Sequence, residues 1–188
     1  MPAFDHFRFI APFYDRIFAG LKTDRLKELL RLSEGERLLD VGGGTGRVTE
    51  TLRNLTSQVV ILDASEGMLH QARGKGLVAV QGEAEALPFR SDALSRILMV
   101  DTFHHLRDQA ASVAELMRIM APGGRLVLQE PNIERPLIKL IALGERLLLM
   151  RSRFHPPQSL RRMFEAAGGR VRIEREGIDF WVVVEKLS

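Results

Sequence analysis

The sequence predicts a single doubly wound α/β domain of about seven strands, mostly parallel with the last antiparallel, and helices on both faces. Three observations carry this reading. Helix-period stretches alternate with short β-rich runs; one apolar strand passes through a cluster of glycines straight into a helix; and the last two β-rich runs are separated only by a short turn around Gly177. A chain of 188 residues suits one domain and is long enough to bury a core.

Taken in order, residues 21–32 bring Leu21, Leu26, Leu29, Leu30 and Leu32 together as an amphipathic helix. A strand over 37–41, a helix over 46–54 and a strand over 58–63 follow. Ser65 is a good N-cap for a helix to residue 73. Strands are expected over 77–81 and 95–100. Residues 109–120 are helical and stopped by Pro122-Gly123-Gly124, ahead of a fifth strand over 125–130. Beyond Pro131 the alternation loosens. Residues 137–150 form a nearly all-apolar helix, 158–167 another, and 170–175 with 180–185 a closing hairpin.

No linker composition and no internal repeat divides the chain. The expected organisation is an N-terminal helical cap (1–35), a central core (36–130), a region of apolar helix that covers a substrate (131–169), and the closing hairpin (170–188).

Composition narrows the chemistry. The chain is 45% hydrophobic and 27% charged, which excludes disorder and fibrous classes. It has no Cys, hence no disulfide framework, zinc-thiolate site or cysteine nucleophile. A formal charge of +3 does not by itself indicate nucleic acid. The first residues lack the basic and apolar regions of a signal peptide. Lys139, Glu145 and Arg146 interrupt the apolar run 137–150, which also falls short of the roughly 20 residues of a membrane span. A soluble, cytoplasmic protein is expected.

The sharpest local signal is Leu38-Leu39-Asp40-Val41-Gly42-Gly43-Gly44-Thr45-Gly46-Arg47. Glycines between a strand and a helix let a ligand approach the backbone with no Cβ in the way. The dinucleotide spacing G-x-G-x-x-G fails in both registers, because Arg47 or Thr49 stands at the third glycine. No Gly-Lys-Ser/Thr follows, so the turn is not a P-loop either. Asp40 would repel a pyrophosphate and favour a cationic ligand. Asp63 ends the second strand, close to the roughly 20-residue separation at which an acid takes both hydroxyls of a ribose.

These residues resemble those of class I S-adenosylmethionine (SAM)-dependent methyltransferases, in the small-molecule branch that includes the ubiquinone/menaquinone-biosynthesis-like enzymes. The glycine segment resembles the family's first motif. Leu62-Asp63-Ala64-Ser65-Glu66-Gly67-Met68-Leu69 is similar to the second, and Gly82-Glu83-Ala84-Glu85-Ala86-Leu87-Pro88-Phe89 to the adenine-side motif, with Glu83 where Asp is usual. Pro122-Gly123-Gly124-Arg125-Leu126 resembles the turn into strand five. The resemblance spans about residues 13–129, becomes general beyond Pro131, and implies a Rossmann-like fold.

It also implies the site. SAM would be bound by Asp40, Gly42, Gly44 and Gly46, with Asp63 at the ribose, Ala64 beside it and Met68 on the adenine. Glu83 and Ala84 would meet the adenine edge, Asp101 the methionine end, and Tyr14 would lie over the cofactor. No metal is expected. Phe13-Tyr14-Asp15 is similar to the family's N-terminal Tyr-Asp pair. No catalytic residue stands out; His104 is a weak candidate for a base, because His104 and His105 are adjacent and cannot both face the pocket. Tyr14 is equally a lid and an acid, and His155 reads as an ordinary loop residue.

The acceptor reads as a small apolar or aromatic molecule. Residues 137–150 need covering by a lid contact, an acceptor or a second subunit in a homodimer; a core helix of one monomer is the alternative. Two rival functions stay open: a SAM-binding protein without turnover, and an RNA methyltransferase using Arg151, Arg153, Arg161, Arg162, Arg170, Arg172 and Arg175. A segment Asp101-Thr102-Phe103-His104 lacks the Pro-Pro-aromatic signature of base-flipping amino-methyltransferases, and a NAD-dependent reductase is a distant third.

Overall fold

The computed structural model describes residues 23–147, apart from 34 and 57, and residues 152–187. The expected cap before residue 23, with Tyr14, lies outside the described residues, as do residues 148–151. The elements are α1 (Thr23–Leu30), β1 (Leu38–Val41), α2 (Arg47–Leu52), β2 (Val59–Asp63), α3 (Glu66–Gly74), β3 (Ala79–Gln81), β4 (Leu94–Val100), a 3₁₀ turn (Phe103–His105), α4 (Gln109–Ile119), β5 (Met120–Pro131), α5 (Pro136–Leu147), α6 (Pro157–Ala166), β6 (Gly169–Glu176) and β7 (Asp179–Lys186).

The seven strands form one sheet in the order β3-β2-β1-β4-β5-β7-β6. β1 to β5 run parallel, and β7 is antiparallel to both β5 and β6. β1 is central and buried at every position, as a strand covered on both faces must be. One face packs Leu39, Ile97, Leu126 and Val182 against α4 and α6 through Leu116 and Phe164. The other packs Leu38, Leu98, Val127 and Trp181 against Leu26 and Leu30 of α1 and Leu52 of α2.

The largest boundary difference from the sequence reading is at β5. β5 begins at Met120, which pairs with Leu94, and the register then shifts so that Arg96 meets Arg125. Pro122-Gly123-Gly124 is therefore an excursion within the strand rather than a loop before it. Glycine is required there: Gly123 has φ 72°, and a Cβ on Gly124 would sit 2.7 Å from the Ala121 carbonyl oxygen.

No helix lies between β3 and β4; the loop is fastened instead. Glu115 of α4 accepts from the Leu87 amide at 2.8 Å, while Arg118 donates to the Leu87 and Phe89 carbonyls at 3.0 and 2.9 Å. On α5, Ile138 faces the core but Leu137, Leu140 and Leu143 are exposed, so this part of the apolar helix is not core. Among the described residues, no helix is long and apolar enough to cross a membrane.

Candidate functional site

β1 and β4 are neighbours although β2 and β3 come between them in sequence, so the chain reverses direction across the sheet here. Ligands of such sheets bind beyond the carboxyl ends of the strands at that point. The glycine turn closes this end of β1. Gly42, Gly44 and Gly46 have φ of 70°, 55° and 76°, which side-chain-bearing residues rarely adopt. Space is as restrictive as φ: a Cβ on Gly42 would fall 2.1 Å from Thr102 Cγ2. The Thr102 hydroxyl bridges the two strand ends, reaching the Gly42 carbonyl at 3.2 Å and the Val100 carbonyl at 2.9 Å.

Four acids gather around this turn. Asp40 is buried, accepts from the Thr49 hydroxyl at 2.5 Å, and lies under Gly43. Burial pushes its carboxyl up to about 6 against the opposing Thr49 bond. Asp63 accepts from the Gly44 amide at 2.9 Å on Oδ2 and from the Ser65 amide at 2.8 Å on Oδ1. Ser65 caps α3 by accepting from the Met68 amide, as its sequence position implied. This seats buried Met68 beside the turn, with its sulfur 3.9 Å from where a Gly44 Cβ would be.

Ala64 is exposed next to Asp63, and its carbonyl accepts from Gln81 at 3.1 Å. Across the cleft from α3, Glu83 is exposed and Ala84 buried at the start of the fastened loop. Asp101 ends β4 at φ 50°, a left-handed conformation that Asp tolerates better than most residues. Burial, then the nearby Glu130 carboxylate, push its carboxyl up to about 7; His104 and Arg47 act in the opposite sense.

Glu130, at the end of β5, was not singled out by sequence reasoning; an acid closing the strand next to β4 was the only signal. It is buried, and its Oε1 accepts from the Thr102 and Phe103 amides at 3.1 and 2.8 Å. Its Oε2 lies 2.6 Å from His104 Nδ1. His104 is itself buried and stacks on Phe154, with ring centroids 4.3 Å apart and planes 16° apart.

His105 meets Ser152 instead, Oγ to Nδ1 at 3.1 Å, and burial pushes its imidazole down to about 3. The two histidines thus face different surroundings, as adjacency requires. His155 is more than a loop residue. Its Nε2 lies 2.7 Å from Gln109 Oε1, and the Arg153 amide donates to the His104 carbonyl at 2.7 Å. Arg153 is thereby tied to the 3₁₀ turn and His155 to α4.

Residues 39–128 match the family model of the methyltransferase domain. The chain is 29% identical to the ubiquinone/menaquinone biosynthesis C-methyltransferase UbiE of Saccharophagus degradans, over 75% of this chain and 70% of that one. It is 32% identical to the demethylmenaquinone methyltransferase of Mycolicibacterium vanbaalenii, over 67% of this chain and 54% of the relative, so it spans about half of that protein. This chain is a class I SAM-dependent methyltransferase.

Solved structures agree in fold. A methyltransferase of Haloferax volcanii, in complex with the Trm112 methyltransferase activator, superposes with a TM-score of 0.84 at 18% identity over 98% of this chain and 99% of that one. A SAM-dependent methyltransferase of Thermotoga maritima does so at 0.80 and 23%, over 96% and 97%.

The residues of this methyltransferase fit its cofactor. A cradle of glycine backbone ringed by Asp40, Asp63, Asp101 and Glu130 is an unfavourable place for phosphates and a favourable one for a sulfonium and an ammonium. Bound SAM supplies a methyl group already activated by positive sulfur, so the protein's task is alignment.

Proposed function

We propose that the protein transfers the methyl group of SAM to a small, hydroxyl-bearing aromatic acceptor held beyond the ends of β4 and β5. Gly42, Gly44 and Gly46 lie under the cofactor. Asp63 and Ala64 meet the ribose, Met68 the adenine face, Glu83 and Ala84 the adenine edge, and Asp101 the ammonium, with Tyr14 over the top. Asp40 contributes charge from beneath. The observation that carries this reading is the bond from the Gly44 amide to Asp63, which holds a carboxylate against the glycine turn.

Three features support the acceptor. The curated relatives are named for ubiquinone and menaquinone chemistry. Phe103, Phe154, His104 and His155 form an aromatic cluster at the end of β4. Residues 152–155 pack against the turn that ends β4, and the exposed Leu137, Leu140 and Leu143 favour a homodimer through α5. Nucleic acid is disfavoured, because the basic C-terminal stretch is partly neutralised: Arg172 pairs with Glu174 and Arg175 with Glu134. The absence of Cys suits a cytoplasmic site of action.

The test is release of S-adenosylhomocysteine from SAM with a panel of phenols and reduced quinones. Turnover of an aromatic acceptor is the expected result. SAM binding without any turnover supports a binding module instead, and a steep loss of RNA binding with salt would support the RNA reading.

A further inference from the structure

We infer that Glu130 is a positioning residue for the methionine half of the cofactor: it holds the turn that ends β4, and with it Asp101, against the glycine turn. The inference rests on the placement of Asp101 at the ammonium proposed above, and it assigns the group that keeps Asp101 there.

β4 stops pairing with β5 at Val100, opposite Gln129. Asp101 then turns the backbone left-handed at φ 50°, so the following amides leave the parallel ladder. Such a conformation persists in a residue other than glycine where its surroundings impose it. β5 supplies that constraint. The Gln129 carbonyl accepts from the Asp101 amide at 3.1 Å, and one oxygen of Glu130 accepts from the next two amides, Thr102 at 3.1 Å and Phe103 at 2.8 Å. A side-chain carboxylate thus replaces the main-chain acceptors of a continuing strand, which the amides of this turn need.

Glu130 is itself anchored. It is buried, and its second oxygen lies 2.6 Å from Nδ1 of His104, whose ring stacks on Phe154. Burying a carboxylate is costly unless it is hydrogen-bonded, and a buried acid–imidazole pair is weak evidence for stability alone. What this carboxylate supports is the geometry of the cradle. From the held turn the Thr102 hydroxyl reaches across to β1 and meets the Gly42 carbonyl at 3.2 Å. The far side of the cradle has a separate support, because Asp63 takes the Gly44 and Ser65 amides. Two acids thus hold the two halves independently, Asp63 on the adenosine side and Glu130 on the methionine side.

Charge follows the same arrangement. The carboxyl of Asp101 is faced by Glu130 from β5, His104 from its own turn, Asp179 from β7 and Arg47 from α2. Glu130 and Asp179 oppose its ionisation, whereas a cationic ligand favours it. Removing the Glu130 charge should therefore let Asp101 ionise at lower pH.

The experiment titrates SAM, S-adenosylhomocysteine and methylthioadenosine into wild type, Glu130→Ala, Glu130→Gln, Asp101→Asn and the variant carrying both Glu130→Ala and Asp101→Asn, with a melting curve for each. Methylthioadenosine keeps the adenine, the ribose and the sulfur but lacks the ammonium and the carboxylate. Glu130→Ala should weaken SAM and S-adenosylhomocysteine about 10- to 100-fold, as for a lost hydrogen bond to a charged group, and leave methylthioadenosine within about threefold. Glu130→Gln keeps an oxygen for the two amides and should restore SAM affinity to within about fivefold of wild type. In the Asp101→Asn background, Glu130→Ala should cost little more, because residues that act as one unit are not additive.

An equal loss for all three ligands, no loss for any, or a full further loss in the Asp101→Asn background would overturn the inference, while a selective loss of SAM in Asp101→Asn leaves the placement of Asp101 intact. If Asp101→Asn spares SAM, that placement fails and this role with it. If Glu130→Ala does not fold, Glu130→Gln decides. The rise of its SAM affinity should move to a pH lower by about 1 than in wild type, and an unmoved profile overturns the inference.

Discussion

The Gly44 amide donates to Asp63 Oδ2 at 2.9 Å across 19 residues of sequence, so the carboxylate expected at the ribose also holds the glycine turn. Its other oxygen takes the Ser65 amide and thereby helps to start α3. Asp63→Ala should therefore act twice. Losing hydrogen bonds to a charged group should cost about 2–4 kcal/mol of SAM binding, or about 30- to 1000-fold in affinity, with S-adenosylhomocysteine weakened equally. The same change should lower folding stability by about 1–3 kcal/mol, because the two amides lose their acceptor. Asp63→Asn keeps one oxygen and should recover part of both. Calorimetric titration beside urea melts separates the effects; a folded Asp63→Ala variant with full affinity would falsify the ribose assignment.

Asp101 predicts a pH dependence with a defined sign. Its folded carboxyl lies near 7 against an ordinary value of 3.8. Its contribution to stability is thus present below its unfolded value and lost as pH rises through about 7. Asp101→Asn should raise the melting temperature more at about pH 8 than at about pH 5, and Asn tolerates the left-handed backbone as Asp does. A cationic cofactor favours the ionised form. SAM binding should release protons below about pH 7, and affinity should rise with pH towards that value. Calorimetry in buffers of different ionisation heat measures the proton count; zero release would remove Asp101 from the cofactor's charged end.

Gly42 is the least replaceable glycine of the turn. Gly42→Ala meets a left-handed backbone costing about 1–2 kcal/mol and a clash with the Thr102 methyl 2.1 Å from the added carbon, a further 1–3 kcal/mol or so. A loss of several kcal/mol in a urea melt is expected. A companion Thr102→Gly change relieves only the contact and should restore about half of it. Full stability of the single variant would mean that the turn adopts another conformation.

The leucines of α5 separate cover from core. Leu137 and Leu140 are 53% and 66% exposed, so Leu137→Glu with Leu140→Glu should leave monomer stability within about 0.5 kcal/mol. SAM affinity should not change. What should change is oligomer size, read by sedimentation, or the KM of the acceptor. If neither moves, this face has no role in association or in acceptor capture.

Much of this protein was legible in its sequence because the signals are local. The alternation of elements, the glycines after β1, Ser65 as the cap of α3 and the closing hairpin each follow from neighbouring residues and backbone sterics. Spacing argued against a dinucleotide, and Asp40 just before the glycines pointed to a cationic ligand before any distance was known. The start of β5 was misjudged because Pro122-Gly123-Gly124 looks like a strand boundary; only pairing with Leu94 makes Met120 part of the sheet.

Tertiary structure alone decided which groups meet. Glu130 and His104 are 26 residues apart and joined at 2.6 Å, because parallel strands bring β4 and β5 side by side and end them at one level. Asp40 looked like a ligand group from its place before the glycines, yet it is folded under the turn and bound to Thr49, a partner set by where α2 packs. The outward turn of Leu140 depends equally on where α5 docks. Sequence specifies conformation over a few residues through sterics and periodicity, whereas proximity between distant side chains, and the burial that shifts their charge, exist only once the sheet has formed.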